Sequence, residues 1–114
     1  MEDTFESACK HGENIKKFQS EYNEETIADM ANILKILGEP SRMKIVLALS
    51  YGELCVFHIV EAVKSNQSAV SHQLRILKDN HIIKSRRDGQ NIVYYLYDDH
   101  IMEILNLVKE HVEE

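Results

Sequence analysis

Residues 67–97 read QSAVSHQLRILKDNHIIKSRRDGQNIVYYLY, and this stretch decides the fold. From Gln67 to Lys78, Val70, Leu74 and Leu77 recur at helical spacing on one side. Ser68, Ser71, His72 and Arg75 fall outside that apolar stripe. Ser65 or Asn66 can cap this helix by accepting from its free N–H groups. Two strand-like runs follow, about Ile82 to Arg87 and Gln90 to Tyr97. Asp88-Gly89 between them predicts a tight hairpin, because such a turn needs positive φ.

Working outward toward the N-terminus, a short helix is expected over Val56 to Val63, with Ile59, Ala62 and Val63 facing inward. It makes a helix–turn–helix with the segment that follows. Before it, Pro40 suits the first turn of a helix running to about Tyr51, with Gly52 as its stop. Met43, Val46 and Leu47 form one apolar stripe there and Ile45 and Leu49 a second, so that helix belongs at the centre of the core. A longer helix over Glu24 to Leu37 carries Ile27, Met30, Ala31, Leu34 and Leu37 on one face. A weaker helical pattern (Ile15, Phe18, Tyr22) precedes it, and residues 1–12 read as a loose arm. Beyond the hairpin, Asp98 or Asp99 caps a last helix that runs to Glu114. The expected architecture is mainly α with a small β-hairpin. It is a single winged helix-turn-helix domain over 1–114.

The chain has 114 residues, 44% of them hydrophobic and 28% charged, which suits one globular domain with its own core. No apolar run approaches the ~18–20 residues that span a bilayer, and the polar first twenty residues lack a signal-type stretch. A cytoplasmic location and no membrane partner are therefore expected. Cys9 and Cys55 are too few and too far apart for a disulfide framework. The net charge of −6 is unevenly placed. Between Lys64 and Arg87 six cations face one acid, Asp79, a local balance of +5 on an otherwise acidic body. Such a segment can hold phosphates on one face while the rest of the molecule is repelled.

A helix that enters the major groove needs an apolar side for anchorage and a polar side for base edges. Gln67–Lys78 has both. Ser68 and Ser71 allow close approach, His72 donates or accepts, and Arg75 reaches a guanine edge or a phosphate. Arg86 and Arg87 are placed near the hairpin tip, where they would meet the DNA backbone or minor groove. These residues, with Glu53-Leu54-Cys55-Val56, Gln67 to Arg75, Arg87-Asp88-Gly89 and Val93 to Leu96, resemble the ArsR/SmtB family of metal-responsive repressors. The resemblance runs from about Ile27 to Glu114. It implies a winged-helix homodimer, paired through its N- and C-terminal helices, that binds double-stranded operator DNA, with Ser71 and His72 in the recognition helix.

The last helix and its cap contain Asp98, His100, His111 and Glu114. His100 and His111 share a face but are roughly 16 Å apart at ~1.5 Å rise per residue. One helix cannot bring both to one ion, whereas an antiparallel partner helix can. Ile101, Ile104, Leu105, Val108 and Val112 form an apolar stripe suited to that pairing. Two nitrogens and two carboxylates suit tetrahedral zinc, and cobalt(II) takes the same geometry. The spacing is similar to that of zinc-sensing members of the family. The resemblance also implies the backbone carbonyl of His81 as acceptor for the second ring N–H of His111, linking the metal ligands to the reading helix.

The resemblance also implies a second, S/N ligand set from Cys55 and His58, three residues apart, with Cys9 and His11 from the arm. Phe57 stands where related motifs carry a second cysteine, which weighs against cadmium or lead. The expected function is a repressor released from DNA by zinc. The alternative is a family-type repressor that responds to cobalt, cadmium or thiol oxidation through Cys9 and Cys55. An enzyme is not expected: the four-ligand set leaves no open position for water, and there is no Gly-rich phosphate loop.

Overall fold

The computed structural model describes residues 11–114. The described residues divide into two compact units, one running up to Leu34 and the other Lys35–Glu114.

The described part of the first unit is helical. Helix α1 spans Gly12–Glu21 and helix α2 spans Glu24–Leu37, whose last turn belongs to the second unit. Asn23 starts α2 by accepting from the Thr26 N–H at 2.8 Å, which satisfies one of the free donors of the first turn. The loose arm expected over 1–12 falls outside the described residues as far as residue 10. At its far end the expectation is corrected, because Gly12 already begins α1 and is buried. The apolar residues of the face read along α2 are exposed at Ile27, Met30 and Leu34. Only Leu37, in the second unit, is buried.

The second unit begins with helix α3, Pro40–Leu49. Glu39 caps it, accepting from the Arg42 N–H at 3.1 Å, and Pro40 takes the first turn, where its missing N–H costs nothing. The Ser41 and Arg42 N–H groups hold the Glu39 carboxyl below the usual carboxylate range. Ile45, Val46 and Leu49 are buried, while Leu47 is exposed. A two-residue strand, β1 (Leu54–Cys55), leads into helix α4 (Val56–Val63), and a three-residue turn leads to helix α5 (Gln67–Asp79). Ile59 is fully buried, but Ala62, expected to face inward, is exposed. Lys64 closes α4 in the left-handed conformation, φ +54°. Asn66 rather than Ser65 caps α5, accepting from the Ala69 N–H at 2.9 Å.

Val70, Leu74 and Leu77 are buried as the helical spacing requires. At the end of α5 the His81 N–H bonds Lys78 O at 3.1 Å and the Ile82 N–H bonds Leu77 O at 3.0 Å. This is a Schellman closure, and it forces His81 to φ +59° where glycine is the usual choice. Strands β2 (Ile83–Asp88) and β3 (Asn91–Leu96) are antiparallel, from Ile83 opposite Leu96 to Asp88 opposite Asn91. The loop is therefore Gly89-Gln90, one residue later than expected. Gly89 alone supplies the positive φ, +65°, of a two-residue hairpin turn. The sheet has three strands in the order β1-β3-β2, with Leu54 opposite Tyr94. No third strand was expected: two residues are too short for a period-2 pattern to register.

Helix α6 spans His100–Glu113. Asp98 accepts from the His100 N–H at 2.9 Å, whereas Asp99, at the capping position, makes no side-chain cap. Of the expected stripe, Ile101 and Leu105 are buried within the chain. Only Ile104, Val108 and Val112 remain exposed, joined by Leu107.

Candidate nucleic-acid interface and metal-ligand pairs

The side of α5 opposite Val70, Leu74 and Leu77 carries Ser68, Ser71, His72 and Arg75, all exposed. The helix thus separates cleanly into an anchoring side and a presenting side. It is braced from behind by Arg42. The Arg42 Nε donates to Ile36 O at 2.8 Å and its Nη1 to Gln73 Oε1 at 3.1 Å. A residue in the first turn of α3 therefore connects the end of α2 to the middle of α5. Nothing in the sequence spacing indicated this, because the partners are six and thirty-one residues away.

At the wing, Arg86 has a partner within the chain. Its guanidinium makes a two-pronged ion pair with Glu53. It also lies over the Tyr95 ring, 5.6 Å from the centroid. Hydrogen bonding to Arg86 lowers the Glu53 carboxyl below its usual range and raises Arg86 in turn. Arg86 thus fastens β2 to the start of β1 while its guanidinium stays exposed, and Arg87 makes no such pair among the described residues. Glu53 was quoted in the sequence only as part of a motif. Its function as the wing's anchor depends on a partner thirty-three residues on.

Lys84 seats its ammonium over the Tyr97 ring at 4.4 Å. The His81 ring also packs near Tyr97, 5.7 Å between ring centroids. The Tyr97 N–H bonds Ile82 O at 3.0 Å, so the residue before Asp98 is fixed to the residues that close α5.

Asp98 and His100 are brought together, with Oδ2 and Nδ1 3.2 Å apart. His111 and Glu114 are brought together at the other end of α6, with Nδ1 and Oε2 3.8 Å apart. All four are exposed. Each pair offers one imidazole nitrogen and one carboxylate to solvent, a donor set that fits a divalent borderline ion. Neither pair closes a coordination shell by itself. Among the described residues, no three His, Cys, Asp or Glu side chains converge on one point. His100, Ile104, Leu107 and His111 lie at helical intervals of four, three and four, hence on one face.

Cys55 Sγ and His58 Nδ1 are in contact at 3.3 Å. His11 is exposed, and Cys9 lies outside the described residues.

Residues 39–85 match the model of the arsR family of bacterial regulatory proteins. The transcriptional repressor SmtB homolog of Synechocystis sp. is 39% identical over 105 residues, covering 91% of this chain and 80% of that protein. The CadC homolog of Staphylococcus aureus, a cadmium resistance regulatory protein, is 30% identical over 105 residues, covering 91% and 87%. Among solved structures, a homodimeric winged helix-turn-helix DNA-binding domain from Mycobacterium bovis superimposes with a TM-score of 0.72. It shares 25% identity and covers 82% of this chain and 90% of that one. The SmtB and CadC homologs are transcriptional regulators, not enzymes. With the wing, the recognition helix and this similarity over nearly the whole chain, the protein belongs to the ArsR/SmtB family of metal-responsive winged-helix transcriptional repressors.

Proposed function

We propose that the protein is a zinc-responsive repressor that holds operator DNA as a homodimer in its metal-free form and leaves it when zinc binds. The observation that carries this reading is the exposed face of α6. Asp98 with His100 stands at one end, His111 with Glu114 at the other, and Ile104 and Leu107 lie between. The ends are too far apart for one chain to ligate one ion. Two α6 helices packed antiparallel would cover the apolar residues. They would also set each pair beside the opposite pair of the second copy, giving two equivalent ligand sets. A bound zinc ion would supply a bond between the two chains.

The protein's own residues do the rest. Asp98 holds the first turn of α6 by accepting from the His100 N–H through Oδ1, and its Oδ2 lies 3.2 Å from the ring Nδ1 of His100. His111 has a second ring nitrogen whose N–H needs an acceptor. The carbonyl of His81, at the closure of α5, is assigned that part on family resemblance. Two recognition helices must enter major-groove faces roughly 34 Å apart, so a small rotation between lobes weakens both at once. The coupling is reciprocal: DNA weakens zinc binding by the factor by which zinc weakens DNA binding.

The test is binding of the protein to its own upstream DNA at one salt concentration, first with chelator and then with zinc. Tight binding weakened about tenfold or more, ~1.4 kcal/mol of coupling, is expected. His111→Asn should keep the tight binding and lose the response. Tight binding indifferent to zinc defeats the reading.

The contact between Cys55 and His58 favours a second reading, a repressor that answers cobalt, cadmium or thiol oxidation through Cys9 and Cys55. A response that disappears in a Cys9→Ser/Cys55→Ser double variant with α6 intact would establish it.

A further inference from the structure

Two clefts flank the reading face of α5, and they differ in charge. On the wing side the lining includes Phe57, Gln67, Ser71, Gln90 and Asn91, with no ionised side chain. On the other side a cleft of about 200 Å³ opens between α3, α4 and α5. Ser41, Lys44, Lys64, Ser65 and Gln73 supply its polar groups, and no carboxylate lines it.

We infer that this second cleft seats the phosphodiester backbone of bound DNA, an assignment that rests on the DNA-binding reading above. Its polar groups are donors, of which the Ser41 hydroxyl already donates to the Glu39 carboxylate, leaving Lys44, Lys64, Ser65 and Gln73 to face a ligand. The two hydroxyls come from the first turn of α3 and from the turn before α5. The ammonium groups of Lys44 and Lys64 are engaged by no ion pair among the described residues. Gln73 is oriented by Arg42, which takes its carbonyl oxygen and leaves the amide NH₂ as the free end. Lys64 is held in place by the left-handed closure of α4, which directs the chain from one helix of the motif into the next.

Position argues the same way. Ala69 and Gln73 of the cleft are one residue from Ser68 and His72 of the reading face. A helix lying in the major groove has a sugar-phosphate strand on either flank. Because Arg86 is paired with Glu53, part of the wing's positive charge is already balanced before DNA arrives. The lysine-lined cleft supplies the cations that make up for it.

The experiment measures the slope of log K against log salt concentration for the metal-free protein, using its upstream DNA and an unrelated duplex. Removing one phosphate-neutralising cation lowers the slope by about 0.9. Lys44→Gln and Lys64→Gln are each expected to lower it by that amount, and to weaken both duplexes by the same factor. Lys35→Gln, which removes the same charge from α2, is expected to leave the slope unchanged. Slopes unaltered in folded Lys44→Gln and Lys64→Gln proteins would overturn the inference, as would an equal drop in Lys35→Gln, which would reduce the effect to net charge. Failure of the wild-type protein to bind either duplex would instead defeat the DNA-binding reading on which it rests.

Discussion

Glu53 and Arg86 are joined by both prongs of the guanidinium, so the first strand of the hairpin is fastened to the residue that precedes β1. The link depends on the ionised carboxylate. In the folded chain the Glu53 carboxyl is lowered by Arg86. The link's contribution is therefore complete above the ordinary glutamate range and fades as pH falls through the lowered value. A carbon-detected NMR titration should show Glu53 titrating below the usual glutamate range, and Arg86→Ala should return it upward. An unchanged midpoint would exclude the pair in solution. Arg86→Ala should also alter the salt slope of DNA binding less than Arg87→Ala does.

His81 occupies a left-handed position that glycine fills without strain. A non-glycine residue there costs about 1 kcal/mol, part of which glycine returns through its freer unfolded chain. Urea unfolding of His81→Gly should show a gain of roughly 0.5 kcal/mol. The zinc response should persist, since the proposed acceptor is the backbone carbonyl. Loss of the response with stability raised would assign the role to the ring.

Arg75 and His72 present their side chains without structural partners among the described hydrogen bonds. Arg75→Ala should lower affinity for the upstream DNA by about 1–3 kcal/mol, with a smaller loss on an unrelated duplex. A uniform loss on both duplexes, read by fluorescence anisotropy, would make Arg75 a phosphate ligand.

Asn66 caps the recognition helix, and Leu77 anchors it with no exposed surface. Asn66→Ala should cost about 1 kcal/mol and Leu77→Ala about 2–5 kcal/mol in denaturant unfolding. A Leu77→Ala cost below that of Asn66→Ala would place Leu77 outside the core.

Leu107 is 66% exposed on the face of α6 that also carries His100 and His111. Leu107→Asp should shift sedimentation toward the monomer and abolish the zinc response. A dimer of unchanged strength would move the interface off α6.

Much of this was legible in the sequence because it is periodic. The 3.6-residue repeat of Val70, Leu74 and Leu77 marks a buried stripe wherever the helix is placed, and it thereby exposes Ser68, Ser71, His72 and Arg75. Asp-Gly announces a hairpin because few residues tolerate positive φ, although the loop fell one residue later, at Gly89-Gln90. The pairing of His100 with Asp98, and of His111 with Glu114, follows from short separations along the chain.

What tertiary structure alone decided are the relations between residues distant in sequence. Ile101 and Leu105 turned inward, because the core needed part of a stripe that looked continuous. Arg86 was taken by Glu53, and Gln73 by Arg42. The two-residue β1 exists only because β3 offers it hydrogen-bonding partners. Spacing encodes which side of an element is apolar. It does not encode which cation will meet which carboxylate, since that depends on how separate elements come together in space.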